Sequence, residues 1–156
     1  MSALAQTAAG LAAVCNGVAA GIMVSTVVGI VPMMVAQPYR GYVRTVQFLW
    51  PRYDPLMPIL NGTALALAVV AAIAAPTASA RTVLVVAAAL LATVMAISIV
   101  KNVPVNRYVS RLDPGRQPDD WARLDPRLRW QRWNRIRTAA AVLAFIANVA
   151  ATGLLT

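Results

Sequence analysis

Asn134, Arg137, Ala141, Ala144 and Asn148 follow one another at intervals of three and four, the spacing that places side chains on one face of a helix. Trp130 extends that face and Trp133 flanks it. Met95, Ser98, Asn102 and Asn106 form a second such line, and Asn61 and Asn16 each add an amide from elsewhere in the chain. These residues lie in or beside sequence that is otherwise apolar, where a polar side chain is costly and is therefore a candidate for function. Together they could stabilise an anion. The Arg137 guanidinium would supply charge, and Asn102, Asn106 and Asn134 would donate hydrogen bonds. Trp130 and Trp133 would stack on a flat ring. Asn61, Trp50 and Tyr108 complete the candidate substrate-binding set. A proton-abstracting step would need a base, and Asp54 and Asp113 are the nearest carboxylates.

Plainer roles are weighed beside these. Asn16 and Asn148 lie deep and are expected to bond across helices. Gly17 and Gly21 form a small-xxx-small packing pattern. Arginines at helix ends commonly extend to lipid headgroups. Seven polar or aromatic residues at one depth (Asn61, Asn102, Asn106, Trp130, Trp133, Asn134 and Arg137) are less easily assigned to packing, and they imply a pocket with a polar rim and aromatic walls.

Composition narrows the chemistry. The chain has no His, which excludes His-ligated haem, copper, zinc and non-haem iron sites. It has no Glu, which excludes the di-iron carboxylate pattern. Cys15 is the only cysteine, so there is no internal disulfide and no thiolate cluster. No metal site is expected. A net charge of +9 would suggest nucleic acid in a soluble protein. Here the positive charge is confined to two loops and is read as topology and attraction to anionic headgroups, with no nucleic-acid partner.

The elements that must position these residues are membrane spans. Four apolar stretches, residues 8–36, 56–75, 82–101 and 134–155, have lengths suited to crossing a hydrocarbon core. Sixty per cent of the residues are hydrophobic. The reading is a single all-α domain over residues 1–156, an integral membrane four-helix bundle. Of the 14 Lys and Arg residues, all but Arg81 fall between spans one and two or around the segment between spans three and four. The positive-inside rule therefore places both termini outside the cytoplasm of a multi-pass protein of the cell (inner or plasma) membrane. Tyr39, Tyr42, Val43, Val46 and Trp50 predict an interfacial amphipathic helix over residues 39–50, ended before Pro51. Residues 102–133 are expected to form a helical cytoplasmic loop, with the third and fourth helices extending into it. Pro104 predicts a kink or break at its entrance, because it leaves the carbonyl near Val100 free. Asp125-Pro126 reads as a helix start.

Three runs also carry a resemblance. Asn102-Val-Pro-Val-Asn106, Asp119-Asp120-Trp121 and Trp130-Gln-Arg-Trp133-Asn134-Arg-Ile-Arg137-Thr138 occur in that order. With Pro32 closing the first span and Asp54-Pro-Leu-Met-Pro58 opening the second, the chain resembles the anthrone oxygenase-like family of small four-helix membrane proteins. The resemblance implies that fold. It suggests oxidation of anthrones to anthraquinones in polyketide, secondary-metabolite pathways, without metal or flavin.

The leading expectation is a membrane-embedded, cofactor-independent oxidoreductase, a monooxygenase acting on a lipophilic aromatic or enolisable substrate with O2. Two alternatives stay open: a non-enzymatic scaffold or transport accessory, and an isomerase or cyclase using the same pocket. The partners expected are the bilayer, the substrate and O2. Small residues on the first helix also permit a homo-oligomer.

Overall fold

The computed structural model describes residues 3–155. Its helices are α1 (Ala3–Ser25), α2 (Val31–Ala36), α3 (Tyr39–Ala74), α4 (Ala78–Ile97), α5 (Val103–Ser110), α6 (Trp121–Leu124) and α7 (Arg127–Leu154). Two π-helical turns, Thr26–Ile30 and Ser98–Asn102, join α1 to α2 and α4 to α5. The result is four long rods, each long and apolar enough to cross a membrane. No strand occurs among the described residues.

Proline accounts for both π turns. Pro32 and Pro104 have no N–H to give to the carbonyl four residues back. One residue before each, the Val31 N–H reaches Thr26 O and the Val103 N–H reaches Ser98 O. Each bond spans five residues instead of four, so the helix widens by one residue. At Pro104 the rod is thus locally wide but unbroken, continuing from Ala78 to Ser110.

The helix end expected before Pro51 is absent. Residues 39–74 form one helix with Pro51, Pro55 and Pro58 inside it. Their spacing of four and three puts all three rings on one exposed face. The lost hydrogen bonds therefore lie on one side, where they let the helix curve without ending it. The Tyr39–Val46 stripe is also not free to lie against lipid. Tyr39, Tyr42, Val43 and Val46 are buried against the protein.

Each rod packs on two neighbours: α1 on α3 and α7, and α4 on α3 and α7. The inward faces are built mainly of alanine, with Ala8, Ala9, Ala12, Ala64, Ala68 and Ala144 buried. Small side chains let the axes approach closely. Gly17 is one such contact, because a Cβ there would meet the Phe145 ring at 2.8 Å. A Cβ at Gly21 would meet nothing within 4 Å. Outward positions carry large apolar residues such as Val28 and Ile73, which are 72% and 77% exposed. Polar amides inside and aliphatics outside is the pattern of a multi-pass membrane protein in contact with the bilayer.

The expected cross-helix bonds of Asn16 and Asn148 do not form. Both side chains are fully buried, and neither has a hydrogen-bond partner. They sit on the α1 and α7 faces that carry the central alanine layer, whose side chains offer no polar group.

At the basic end a cap closes the bundle. Val31, Met34, Tyr39, Tyr42, Val43, Val46, Val105, Val109, Trp121 and Trp130 form one buried cluster. Trp121 packs edge-on against Tyr39, with ring centroids 4.8 Å apart. Polar side chains tie the cap's backbone together. The Tyr39 hydroxyl donates to Asp113 O and Arg116 O. The Gln47 amide donates to Ser110 O and Leu112 O. Arg127 donates to the carbonyls of Val35 and Gln37 at the end of α2. The Asp125 carboxylate accepts from both the backbone and the side chain of Arg127, so it caps α7 and fixes that arginine at once.

Candidate functional site

Between the alanine core and the cap the bundle opens into a cavity of about 210 Å³. The first rod supplies Met23, Thr26 and Met34, and α3 supplies Trp50, Asp54 and Asn61. The third rod contributes Met95, Ser98, Asn102 and Asn106, and α7 contributes Trp130 and Arg137. Both π turns lie at this level, since Thr26, Ile30, Ser98 and Asn102 are lining residues.

Arg137 is the only guanidinium in the wall. Its Nε and Nη2 donate to Asn134 Oδ1 at 3.1 and 2.7 Å, and its Nη1 donates to Ser98 Oγ at 3.0 Å. These partners are held in turn. Asn134 Nδ2 donates to Trp130 O, and Ser98 Oγ donates to Val94 O. Asn134 therefore has its carbonyl end fixed toward the guanidinium. All of these partners are neutral. Among the described residues the ion pairs are Arg123 with Asp120 and Arg127 with Asp125, so Arg137 is held in place without a counter-charge.

Around it lie polar atoms with no partner. Asn102 is 2% exposed and neither its amide nitrogen nor its oxygen is bonded. Asn61 spends its amide on Met57 O, which leaves Oδ1 unsatisfied. Trp130 Nε1 is likewise unpaired. A buried donor or acceptor left unsatisfied costs roughly 1–3 kcal/mol. Three such residues lining one cavity are unusual in a native fold unless a bound molecule or water meets them.

The structure brings Asn61, Asn102, Asn106, Trp130 and Arg137 together around the cavity, with Trp50 as a side wall and Asp54 exposed at the rim. It places four sequence-derived candidates elsewhere. Asn134 is buried behind Arg137 and orients it. Trp133 lies outside the lining, under the Lys101 ammonium at 5.2 Å from the ring centroid. Tyr108 is exposed on the outer side of α5. Asp113 belongs to the turn after α5, where its carboxylate accepts from the Gly115 N–H at 2.7 Å. For Asn134, Trp133 and Tyr108 helical spacing gave a face and a depth, but not the rotation that decides whether a side chain reaches the centre; Asp113 was a candidate by its position along the chain alone.

Sequence reasoning missed the apolar wall. Of the four methionines that line the cavity, only Met95 was singled out by spacing; Met23, Met34 and Met57 were not, nor was Tyr53. Clustering of methionine at one depth was the available signal, since its flexible thioether suits an adaptable surface. Among the described residues no three His, Cys, Asp or Glu side chains lie together. The site's polar groups are amide, hydroxyl, indole and guanidinium, with one carboxylate at the rim.

Comparisons with curated proteins and with solved structures each returned no match. A family model described as anthrone oxygenase matches residues 49–147, a stretch that contains Asn61, Asn102, Asn106, Trp130 and Arg137. That match covers most of the chain and every polar residue of the cavity supplied by α3, the third rod and α7, so this protein belongs to the anthrone oxygenase family.

Proposed function

We propose that this protein is a membrane-embedded oxygenase that oxidises a lipophilic aromatic or enolisable compound with O2. The observation that carries the proposal is Arg137, a guanidinium in the wall of an apolar cavity, held by neutral side chains and lacking a counter-charge. Such a group is suited to an anion formed during turnover. Its three neutral bonds hold it in the needed orientation beforehand, so no reorganisation accompanies charge development.

In the reaction an activated CH2 between aromatic rings loses a proton, giving a delocalised carbanion whose charge rests on oxygen. Arg137 stabilises that oxygen, with Asn102 donating beside it. Trp130, Trp50 and the methionines hold the ring system and keep water away. One electron passes from the carbanion to O2, and the two radicals combine to a peroxide anion at the same carbon, which takes back the proton first removed to give the hydroperoxide. Loss of water gives the ketone. The carbon has lost two hydrogens and gained one oxygen atom, and the second oxygen leaves as water. Asp54 at the rim is the carboxylate placed to take the first proton. No further cofactor enters this scheme.

The rival reading, in which the amides only join helices, fits the cavity less well. Asn16 and Asn148 also lack partners but lie in the alanine core, whereas Asn102 lacks them in the cavity wall, where a bound molecule can supply them. We also place the basic cap in the cytoplasm and both termini outside, in the cell membrane, following the charge asymmetry.

Oxygen consumption by the purified protein with a panel of anthrones and related phenols is the test. Uptake that requires substrate and disappears in Arg137→Ala is expected. Substrate conversion without oxygen uptake would instead make the site an isomerase or cyclase.

A further inference from the structure

The cavity is closed at both ends of the bundle. Toward the basic face the interlocked cap covers it, with Met34, Val46 and Trp130 shared between the cap cluster and the cavity wall. Toward the other face stand Met23, Val94 and Leu91, none more than 2% exposed. The most exposed of the lining residues are Asp54 and Pro58 on α3 and Ile99 on the π turn of the third rod. The opening is therefore a seam in the side of the bundle, between α3 and the third rod.

Beside Asp54, the segments that flank the seam expose apolar side chains: Leu56 and Ile59 on α3, and Ile99 and Val100 on the third rod, are 42%, 63%, 60% and 61% exposed. Such a surface faces hydrocarbon rather than water. Both lips also have weakened backbone ladders. Pro51, Pro55 and Pro58 remove three donors from α3, and the opposite lip is the π turn at Ser98–Asn102.

From these observations we infer that the ligand is a compact lipophilic weak acid dissolved in the bilayer, which enters sideways through the α3/third-rod seam and is held as its anion against Arg137. The inference rests on the proposed function for its setting and names the substrate class and route of the same site. Charge selects the ligand, because the one ionised group in the inner wall is an unpaired cation and the bare amides around it serve both donors and acceptors. Size restricts it. A cavity of about 210 Å³ falls below the roughly 300–1,000 Å³ typical of sites for drug-sized molecules. It suits one small fused-ring body rather than a two-chain phospholipid. Asp54 lies at the seam, so an entering acid passes this carboxylate before reaching Arg137.

The test uses the full chain in zwitterionic phosphatidylcholine vesicles and the fluorescent acid 1-hydroxypyrene, whose phenol and phenolate emit at different wavelengths. 1-Methoxypyrene is the neutral control. The expected result is saturable phenolate emission in the wild type and weak binding of the methyl ether. Arg137→Gln should weaken phenolate binding about tenfold or more. Loading rate should follow the probe's mole fraction in the bilayer when lipid is diluted, not its aqueous concentration. Ile99→Trp, which fills the seam from an exposed position, should slow loading about tenfold. Ile73→Trp, at a still more exposed position at the far end of α3, should leave it unchanged. Added phosphatidylglycerol should not displace the probe.

Equal binding of acid and ether would overturn the anion assignment, and a rate set by aqueous concentration would overturn the lateral route. Displacement by phosphatidylglycerol would make the site one for an anionic lipid. If Ile99→Trp does not fold, the lipid-dilution series on the wild type decides the route alone. Phenolate binding without oxygen uptake on any substrate would defeat the oxygenase reading and leave this inference standing. Oxygen uptake with seam-independent loading would do the reverse.

Discussion

Arg137 is held by three donated hydrogen bonds, two to Asn134 and one to Ser98, and each has a different consequence when removed. Arg137→Ala removes the charge and should abolish oxygen uptake. Asn134→Ala leaves the charge but frees one side of the fork. Hydrogen bonds to charged groups contribute about 1.5–3 kcal/mol, so turnover should fall roughly 10- to 100-fold, short of the Arg137→Ala level because Ser98 still holds Nη1. Steady-state oxygen uptake by the two variants checks the order. The two candidate bases separate as cleanly. Asp54→Asn should slow turnover, because that carboxylate stands at the cavity rim. Asp113→Asn should leave it intact, since Asp113 shapes a turn away from the cavity; comparable loss in both would remove Asp54 from the mechanism. At this scale the sequence was legible where cost in lipid exposes a residue. Arg137, Asn61 and Asn102 stand out against alanine and valine, and all three reach the cavity. It was illegible where the answer is a side-chain direction. Nothing in the spacing of Asn134 and Arg137 tells that one amide orients the other residue's guanidinium instead of meeting the ligand itself.

Among the elements, α3 shows how local rules yield to packing. Pro51 reads as a stop, yet the helix runs 36 residues through three prolines. The rings share the exposed face, while the opposite face is held by Val43, Val46, Asn61 and Ala64 in the bundle. Tertiary contact on one side thus outweighs three missing hydrogen bonds on the other. The four-rod architecture itself was plain from the apolar lengths, because only helices satisfy their own backbone in lipid. The π turns were not plain. Proline marks where a carbonyl is freed, but widening and kinking are alternative responses to that loss. The first rod supplies a sharper test of packing. Gly17 approaches the Phe145 ring and Gly21 approaches nothing. Gly17→Ala should therefore cost about 1–3 kcal/mol through overpacking, while Gly21→Ala should be neutral or mildly stabilising. Denaturation midpoints in mild detergent measure both, and equal values would mean that the glycine pair has no packing asymmetry.

For the whole molecule, orientation follows from charge and is open to a direct test. Alkaline phosphatase fused after the last residue should be active under the orientation proposed from charge, with both ends outside the cytoplasm. Activity from a fusion at the Asp113-Pro114-Gly115 turn instead would invert the topology. The distribution of satisfied and unsatisfied groups has a further consequence. The cap spends Tyr39, Gln47 and Arg127 on its own backbone and leaves the Trp121 indole N–H unpaired, while beside Arg137 the cavity wall leaves atoms of Asn102, Asn61 and Trp130 open to bonds from outside the chain. Any molecule that completes those bonds binds the folded state alone. By mass action, a ligand at a hundred times its dissociation constant raises the unfolding free energy by roughly 2.7 kcal/mol. Resistance to heat therefore becomes a way to find the substrate before any reaction is observed. A library of lipophilic acids screened by thermal unfolding in detergent should yield hits whose stabilisation vanishes in Arg137→Gln. A screen whose hits stabilise that variant equally would show that the guanidinium does not recognise them.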